Sequence, residues 1–400
     1  MPPRTPAADW VELAELDRDP HPTLARLRAT APVCWVPALN GWVVTTRDLA
    51  LAAMRDDVRL TVDDPRFTTG QITGPSMLST DGAEHARHRA PFARPFRLDA
   101  IRERFTTEAA AEVERLIGTF ARAGEVELRT QLAGPLAARM MILALGFATA
   151  AEADILSWYT RIVDAVQRMS AGEPVSPDGI DAYASFADAL HAALDQADPD
   201  SSLLAAALGD ASALTRDELT SNAAVLLFGG IETTEGMIAN LLHHLLSTGQ
   251  FGPVAADPVL LDGAIEESLR MEPAAAVLDR YATTDLELGG AAIPLGDLVI
   301  LSMASANRDE SIFPDPDRFD PRRANAKLHT TFATGPHVCL GMHLARLEAR
   351  AAITGLAEHL PHLHADPTRP SAPQGLVFRK PPTVWARTFA EGSGPVGLAK

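Results

Sequence analysis

A mainly α-helical single domain with a small β region is the fold class that this 400-residue sequence predicts. Three observations carry it. From Ile101 to Leu208 the chain is Ala-rich with helical patterning, broken at Gly124, at Gly134-Pro135 and from Gly172 to Gly179. From Arg216 to Ser247 there is no proline, and at 1.5 Å per residue that run makes one helix about 48 Å long. Strand signals are confined to residues 33–45, 281–303 and a short late stretch. No internal repeat or low-complexity linker divides the chain, so residues 1–400 read as one domain, with 390–400 a frayed tail.

Composition narrows the class. At 46% apolar residues there is material for a sizeable core. No run of eighteen apolar residues exists, and the opening Met-Pro-Pro-Arg-Thr-Pro is not of signal-peptide type, so a soluble, cytoplasmic protein is expected. Cys34 and Cys339 lie far apart and suggest no disulfide framework. A net charge of −17 argues against nucleic acid or an anionic membrane as partner. Between Asp81 and Phe105, however, six arginines meet four acids, which is either a basic face on an acidic body or an ordinary solvated helix face.

Taken in order, residues 1–30 carry short helical patterns with Leu24, Leu27 and Ala31 on one face. Val33 to Val36 and Trp42 to Thr45 flank Asn40-Gly41, a hairpin signal. Residues 63–80 read as a long irregular loop and a candidate wall of a binding site. His85 and Arg89, four apart, share one helix face, where they converge on a carboxylate or simply line a surface. Gly172 to Gly179 separates two helices and invites mobility. Thr215 and Glu218 form a capping box for the long helix. Near its middle stands Gly229-Gly230-Ile231-Glu232-Thr233. Two glycines there cost roughly 1 kcal/mol each against Ala. They serve either a close helix crossing or the room that a planar cofactor needs, with Glu232 and Thr233 as acid and hydroxyl relay. Asp257-Pro258 starts a helix that ends before Pro273, and Glu267 and Arg270 can pair on its face. Strands are expected at Tyr281 to Leu288 and Leu298 to Met303 around Gly289-Gly290. A Pro-rich wrapping segment follows to Pro321, and Val377-Phe378 with Val384-Trp385 suggest a late hairpin.

The most informative stretch is Phe332 to Gly341, Phe-Ala-Thr-Gly-Pro-His-Val-Cys-Leu-Gly. Gly335 and Pro336 allow a tight turn that brings amide N–H groups towards Cys339, and Leu340, Leu344, Leu347 and Ala351 mark a helix behind it. A cysteine at a helix N-terminus is expected to have a lowered thiol pKa, and so to be reactive or a metal ligand. Zinc is a poor choice, since no second Cys is near. The pattern Phe-x-x-Gly-x-His-x-Cys-x-Gly resembles the haem-binding loop of the cytochrome P450 family. Ala333 stands where that family usually has Gly.

The resemblance extends over five stretches between about residues 81 and 350, and it implies a cytochrome P450 fold with haem b between the long helix and the helix behind the Cys loop. It makes Cys339 the axial ligand of the iron and assigns the haem propionates to His85, Arg89, Arg280 and His337. Gly229, Phe332 and Gly341 become further haem contacts. It implies that Thr233 meets bound dioxygen, that Glu232 feeds protons, and that Glu267, Arg270 and Arg323 form a buried network bracing the thiolate loop. A substrate pocket is expected from Met77, Leu78, Ile231, Ala276, Val277 and Phe378, under a lid at 157–190. The expected function is oxidation of a hydrophobic small organic molecule by O2, in secondary metabolism. Electrons from NAD(P)H would arrive through a reductase and a ferredoxin docked on Arg87, Arg94, Arg97 and Arg346. A monomer is expected. The alternatives are a peroxide-driven peroxygenase, against which the Glu232-Thr233 pair argues, and a haem-based gas sensor or carrier without turnover.

Overall fold

The helix Arg216–Ser247 is the axis of the molecule, with the bounds the sequence predicts. The structure is a computed structural model and describes residues 4–147, 152–170, 174, 176–195, 204 and 214–388. The capping box closes as expected: Thr215 Oγ1 accepts the Glu218 N–H at 3.2 Å, and Glu218 Oε2 accepts the Thr215 N–H at 2.8 Å. The helix is long and apolar enough to cross a membrane, but 67% of its most apolar window is buried inside the fold. Around it pack Gly134–Leu145, Met342–His359, Pro258–Met271 and Pro177–Asp195, enclosing the main apolar core. Asp257 caps Pro258–Met271, its Oδ1 accepting the N–H groups of Val259 and Leu260.

The strands are β1 (Val33–Val36), β2 (Gly41–Val44), β3 (Leu60–Thr61), β4 (Glu125–Glu127), β5 (Val277–Ala282), β6 (Leu286–Leu288), β7 (Ala291–Ile293), β8 (Leu298–Ser302), β9 (His364–Ala365) and β10 (Trp385–Arg387). The largest sheet has the order β1-β2-β8-β5-β3, antiparallel except for the parallel pair β2 and β8. Asn40 takes the left-handed conformation that turns β1 into β2. One face of this sheet packs on Ala50, Ala53, Met54 and Met303, and the other on the N-terminal helices.

Three expectations change. Gly134-Pro135 does not interrupt a helix but begins one, directly after a π turn over Arg129–Ala133, because proline in a first turn has no N–H to satisfy. The loop at 63–80 contains the short helix Thr68–Thr73. The late hairpin does not form: Phe378 bridges to Ala275, while β10 lies between β4 and β9. An alternating pattern says that a strand forms but not which edge it joins. Residues 172, 173 and 175 of the Gly172 to Gly179 stretch and all of 390–400 lie outside the described residues.

Candidate active site

The loop before Met342–His359 is wound so that Cys339 faces inward. Its N–H donates to the Phe332 carbonyl at 2.8 Å and that of Val338 to Gly335 at 3.2 Å. Gly335 sits at φ +75°, and a Cβ there would stand 2.9 Å from the Met54 carbonyl oxygen, so only glycine fits. Ala333 adopts φ +55°, the conformation for which glycine is the natural choice. The thiol is exposed to the cavity that it lines and lies deep among protein atoms. Burial pushes its pKa up, and this outweighs the Gly341 and Met342 N–H groups and the charges of Arg89 and Arg346, which favour the thiolate. The expectation of a lowered pKa holds for those four groups and fails for the sum, because desolvation among protein atoms outweighs them.

Behind the loop lies the expected network. Glu267 and Arg270 are both fully buried. Glu267 accepts from Arg270 Nε at 2.7 Å, from Arg270 Nη2 at 2.9 Å and from Arg323 Nε at 2.8 Å. Arg270 also donates to the carbonyls of Asn307 and Pro316. The Asn307 side chain then receives the Thr330 N–H at 2.7 Å and donates to Thr331 Oγ1 at 2.9 Å, so the brace reaches the residues immediately before Phe332.

On the opposite wall the two glycines divide the roles proposed for them. A Cβ on Gly230 would stand 2.2 Å from Met141 Sδ, so Gly230 admits the helix Gly134–Leu145. At Gly229 nothing lies within 4 Å, and that face stays open to the cavity. Thr233 lines the same cavity, its Oγ1 donating to the Gly229 carbonyl at 2.5 Å. Ile231 is a correction. It is 2% exposed, packs in the main core and does not line the cavity, because two residues along a helix turn a side chain about 200° away from Gly229 and Thr233. Glu232 is buried beside the cavity rather than on it. The Tyr159 hydroxyl donates to its Oε2 at 2.8 Å and Lys380 Nζ lies 2.8 Å from its Oε1. Lys380 is shared with Glu235 at 3.0 Å, which also pairs with Arg129. Sequence reasoning missed Tyr159, Glu235, Arg129 and Lys380, which come from four distant segments with no common motif.

The cavity measures about 610 Å³. Of the expected pocket residues, Met77, Leu78, Ala276, Val277 and Phe378 line it, as do Arg89, Arg280, Phe332, His337 and Gly341. His85 does not. It stands behind the Cys loop, its ring nitrogen Nε2 3.0 Å from the Pro336 carbonyl, so of the pair on this helix face only Arg89 reaches the cavity. His337 faces Asp81 at 2.7 Å. Burial would raise the Asp81 carboxyl, but His337, Thr61 and the Val62 N–H overcome it and hold it at about 2. Among the described residues, none of the lid segment 157–190 lines the cavity. Trp158, Ile162 and Tyr183 instead pack around Ile72 on the short helix Thr68–Thr73.

These residues fit a haem. The Cys339 thiol and the bare face of Gly229 line the same cavity. Two largely buried guanidinium groups, Arg89 and Arg280, line it with only backbone carbonyls as hydrogen-bond acceptors, those of Val338 and Asp279. Two cations on the cavity that make no salt bridge among the described residues suit a ligand that carries two carboxylates. Outside, Arg94 and Arg97 are exposed, and Arg102 acts electrostatically on His343 and Arg350. Arg87 pairs with Glu84 and Glu218, and Arg346 with Glu266.

A helical scaffold with a thiol-floored cavity is the architecture of haem-thiolate oxidoreductases. The family profile described as "Cytochrome P450" matches residues 257–386. Cytochrome P450 monooxygenase PikC of Streptomyces venezuelae is 36% identical over 382 residues, 92% of this chain and 89% of that protein. 6-Deoxyerythronolide B hydroxylase of Saccharopolyspora erythraea is 31% identical over 86% of this chain and 89% of its own length. The crystal structure of CalO2 superimposes with a TM-score of 0.86 at 28% identity, covering 96% of this chain and all of that one. The chain belongs to the cytochrome P450 family and is a monooxygenase of the P450 fold.

Proposed function

We propose that this enzyme binds haem b through Cys339 and uses O2 to hydroxylate or otherwise oxidise a hydrophobic small organic molecule of bacterial secondary metabolism. The observation that carries the reading is one cavity lined by the Cys339 thiol, by Gly229 and Thr233, and by Arg89 and Arg280, which make no salt bridge among the described residues. Haem bound there supplies the oxygen-activating chemistry of a thiolate-ligated iron. The chain's own residues supply the rest. Arg89, Arg280 and His337 orient the propionates, and the Gly341 and Met342 N–H groups stabilise the thiolate. Thr233 Oγ1 presents a hydroxyl at the reacting face, and Glu232, once released from Lys380, is the acid that renews its proton. The mostly apolar lining from Met77, Leu78, Ala276, Val277 and Phe378 supports an apolar substrate. The named reaction of 6-deoxyerythronolide B hydroxylase supports hydroxylation as the reaction.

Electrons from NAD(P)H arrive through a reductase and a ferredoxin. Arg94, Arg97 and Arg102 form the basic docking face, to which Arg87, Arg346 and Arg350 contribute less because Glu84 and Glu218, Glu266 and Asp262 already pair them. The protein acts as a cytoplasmic monomer. The reduced, carbon monoxide-bound spectrum tests the reading. A strongly red-shifted Soret band reports sulfur on the iron, and Cys339→Ala abolishes it. A wild-type band at the position of imidazole-ligated haem overturns the reading. Turnover that ignores ionic strength and Arg94→Glu/Arg97→Glu alike removes the ferredoxin.

A further inference from the structure

One half-buried carboxylate on the cavity has no part in the chemistry above. Asp279 lies on β5, and the antiparallel register sets it directly opposite Ile300 of β8, itself opposite Val43 of β2. Paired residues share a sheet face, so Asp279 stands in a row with Val43 and Ile300, flanked on β5 by Val277 and Tyr281. This face lines the cavity that also contains Cys339 and Thr233. Across from it are Val11, Leu16, Leu24 and Leu27 of the N-terminal segment. The chamber around the carboxylate is therefore mostly apolar.

No described residue donates a hydrogen bond to that carboxylate; only the Asp279 backbone carbonyl is used, by Arg280 Nη1 at 2.8 Å. Arg280 alternates to the other face of β5 and acts on Asp279 only through its charge, Arg66 pairs with Asp64 while stacking on Tyr281, and Arg4 pairs with Asp297. Burial accordingly pushes the Asp279 carboxyl up to about 6. The charge of the neighbouring Arg280 opposes this rise without a hydrogen bond to the carboxylate, so a cation bound in the chamber would gain a direct partner there.

We propose that Asp279 anchors a cationic group, a protonated or quaternary amine, carried by a substrate whose apolar body extends along the cavity to the Thr233 and Cys339 end. The inference deepens the proposed function by naming a substrate class, and it rests on that reading for the identity of the cavity as the substrate site. Asp279 is a specificity residue here, placed on the sheet face and not at the reacting end.

The test uses the holoenzyme and three probes of equal chain length, decyltrimethylammonium, decanol and decanoate, with binding followed by calorimetry. The quaternary nitrogen has no lone pair and cannot ligate iron. Wild type binds the cation at least about tenfold more tightly than either other probe, as one desolvated charge pair requires. In Asp279→Asn and Asp279→Leu that preference falls to within about twofold, decanol binding is unchanged, and the thermal midpoint is kept or raised because a desolvated carboxylate without hydrogen-bond donors is gone. Glu348, a buried carboxyl on the cavity, is the control, and Glu348→Gln retains the preference. Equal affinities in wild type, no binding of the cation, a preference that survives in both Asp279 variants, or one lost only in Glu348→Gln overturns the proposal. The carbon monoxide spectrum of the same preparations reports separately on the Cys339 reading, so failure of one is distinguishable from failure of the other.

Discussion

Two ion-pair networks flank the cavity and are built to opposite specifications. Behind Cys339, Glu267 receives Arg270 twice, Arg323 once and the Asp320 N–H, and both arginines finish their remaining donors on backbone carbonyls. Every partner is planar or part of the main chain, so nothing can leave without stranding a buried charge. Beside Thr233, Glu232 is held by one tyrosine hydroxyl and one lysine ammonium, and that ammonium is shared with Glu235. Lysine sits on a flexible stem, so this contact can be exchanged for another. The first network keeps a thiolate loop in place, and the second leaves an acid free to move a proton.

The largest effect expected from this contrast is on the Cys side. Arg270→Ala strands Glu267 and is expected to cost about 3–5 kcal/mol in chemical denaturation, with loss of haem uptake. A cost near zero would mean that the network is ornamental.

Next comes Asp81, which links Thr61 and β3 to His337 on the Cys loop. Its carboxyl lies at about 2 in the folded protein against roughly 3.9 unfolded, a depressed value, so its contribution is present above pH about 4 and is lost as pH falls towards 2. That is about 2 kcal/mol, read as the difference in acid stability between wild type and Asp81→Asn, which should lack this part of the pH dependence.

The reacting side should respond in chemistry rather than stability. Thr233→Ala keeps haem and ligand binding while product per NAD(P)H falls about tenfold and peroxide rises, as expected for one lost relay hydroxyl. An unchanged coupling ratio would remove Thr233 from the relay. The smallest effect is expected for Lys380→Met. Stability should stay within about 1 kcal/mol of wild type, since a part-exposed lysine contact is worth little. The solvent isotope effect on turnover should change, because Glu232 has lost its cationic partner. A loss like that of Arg270→Ala would erase the distinction between the two networks.

Much of this was legible in the residues before any coordinates. The capping box, the absence of proline and the terminal Gly249 delimit Arg216–Ser247 because helix ends are local chemistry, settled by groups three or four residues apart. The Cys339 loop is equally local: one decapeptide contains the turn, the ligand and the helix start. Ile231 went astray because a motif places a residue in sequence, whereas helical rotation decides which way it points. His85 did so because a shared helix face does not say which of two side chains is longer in reach.

The sequence by itself determined the class of scaffold, the position of the sulfur and the Glu267 and Arg270 pair, since each is encoded within a turn or two of backbone. Only the tertiary structure decided that Gly230 serves packing while Gly229 serves the cavity. It also decided that β10 joins β4, that Lys380 restrains Glu232, and that Asp279 lines a mostly apolar chamber. The physical reason is range. Those outcomes depend on which surfaces meet after the chain has folded back across distances of up to some 260 residues, and neither periodicity nor capping chemistry acts over more than a few.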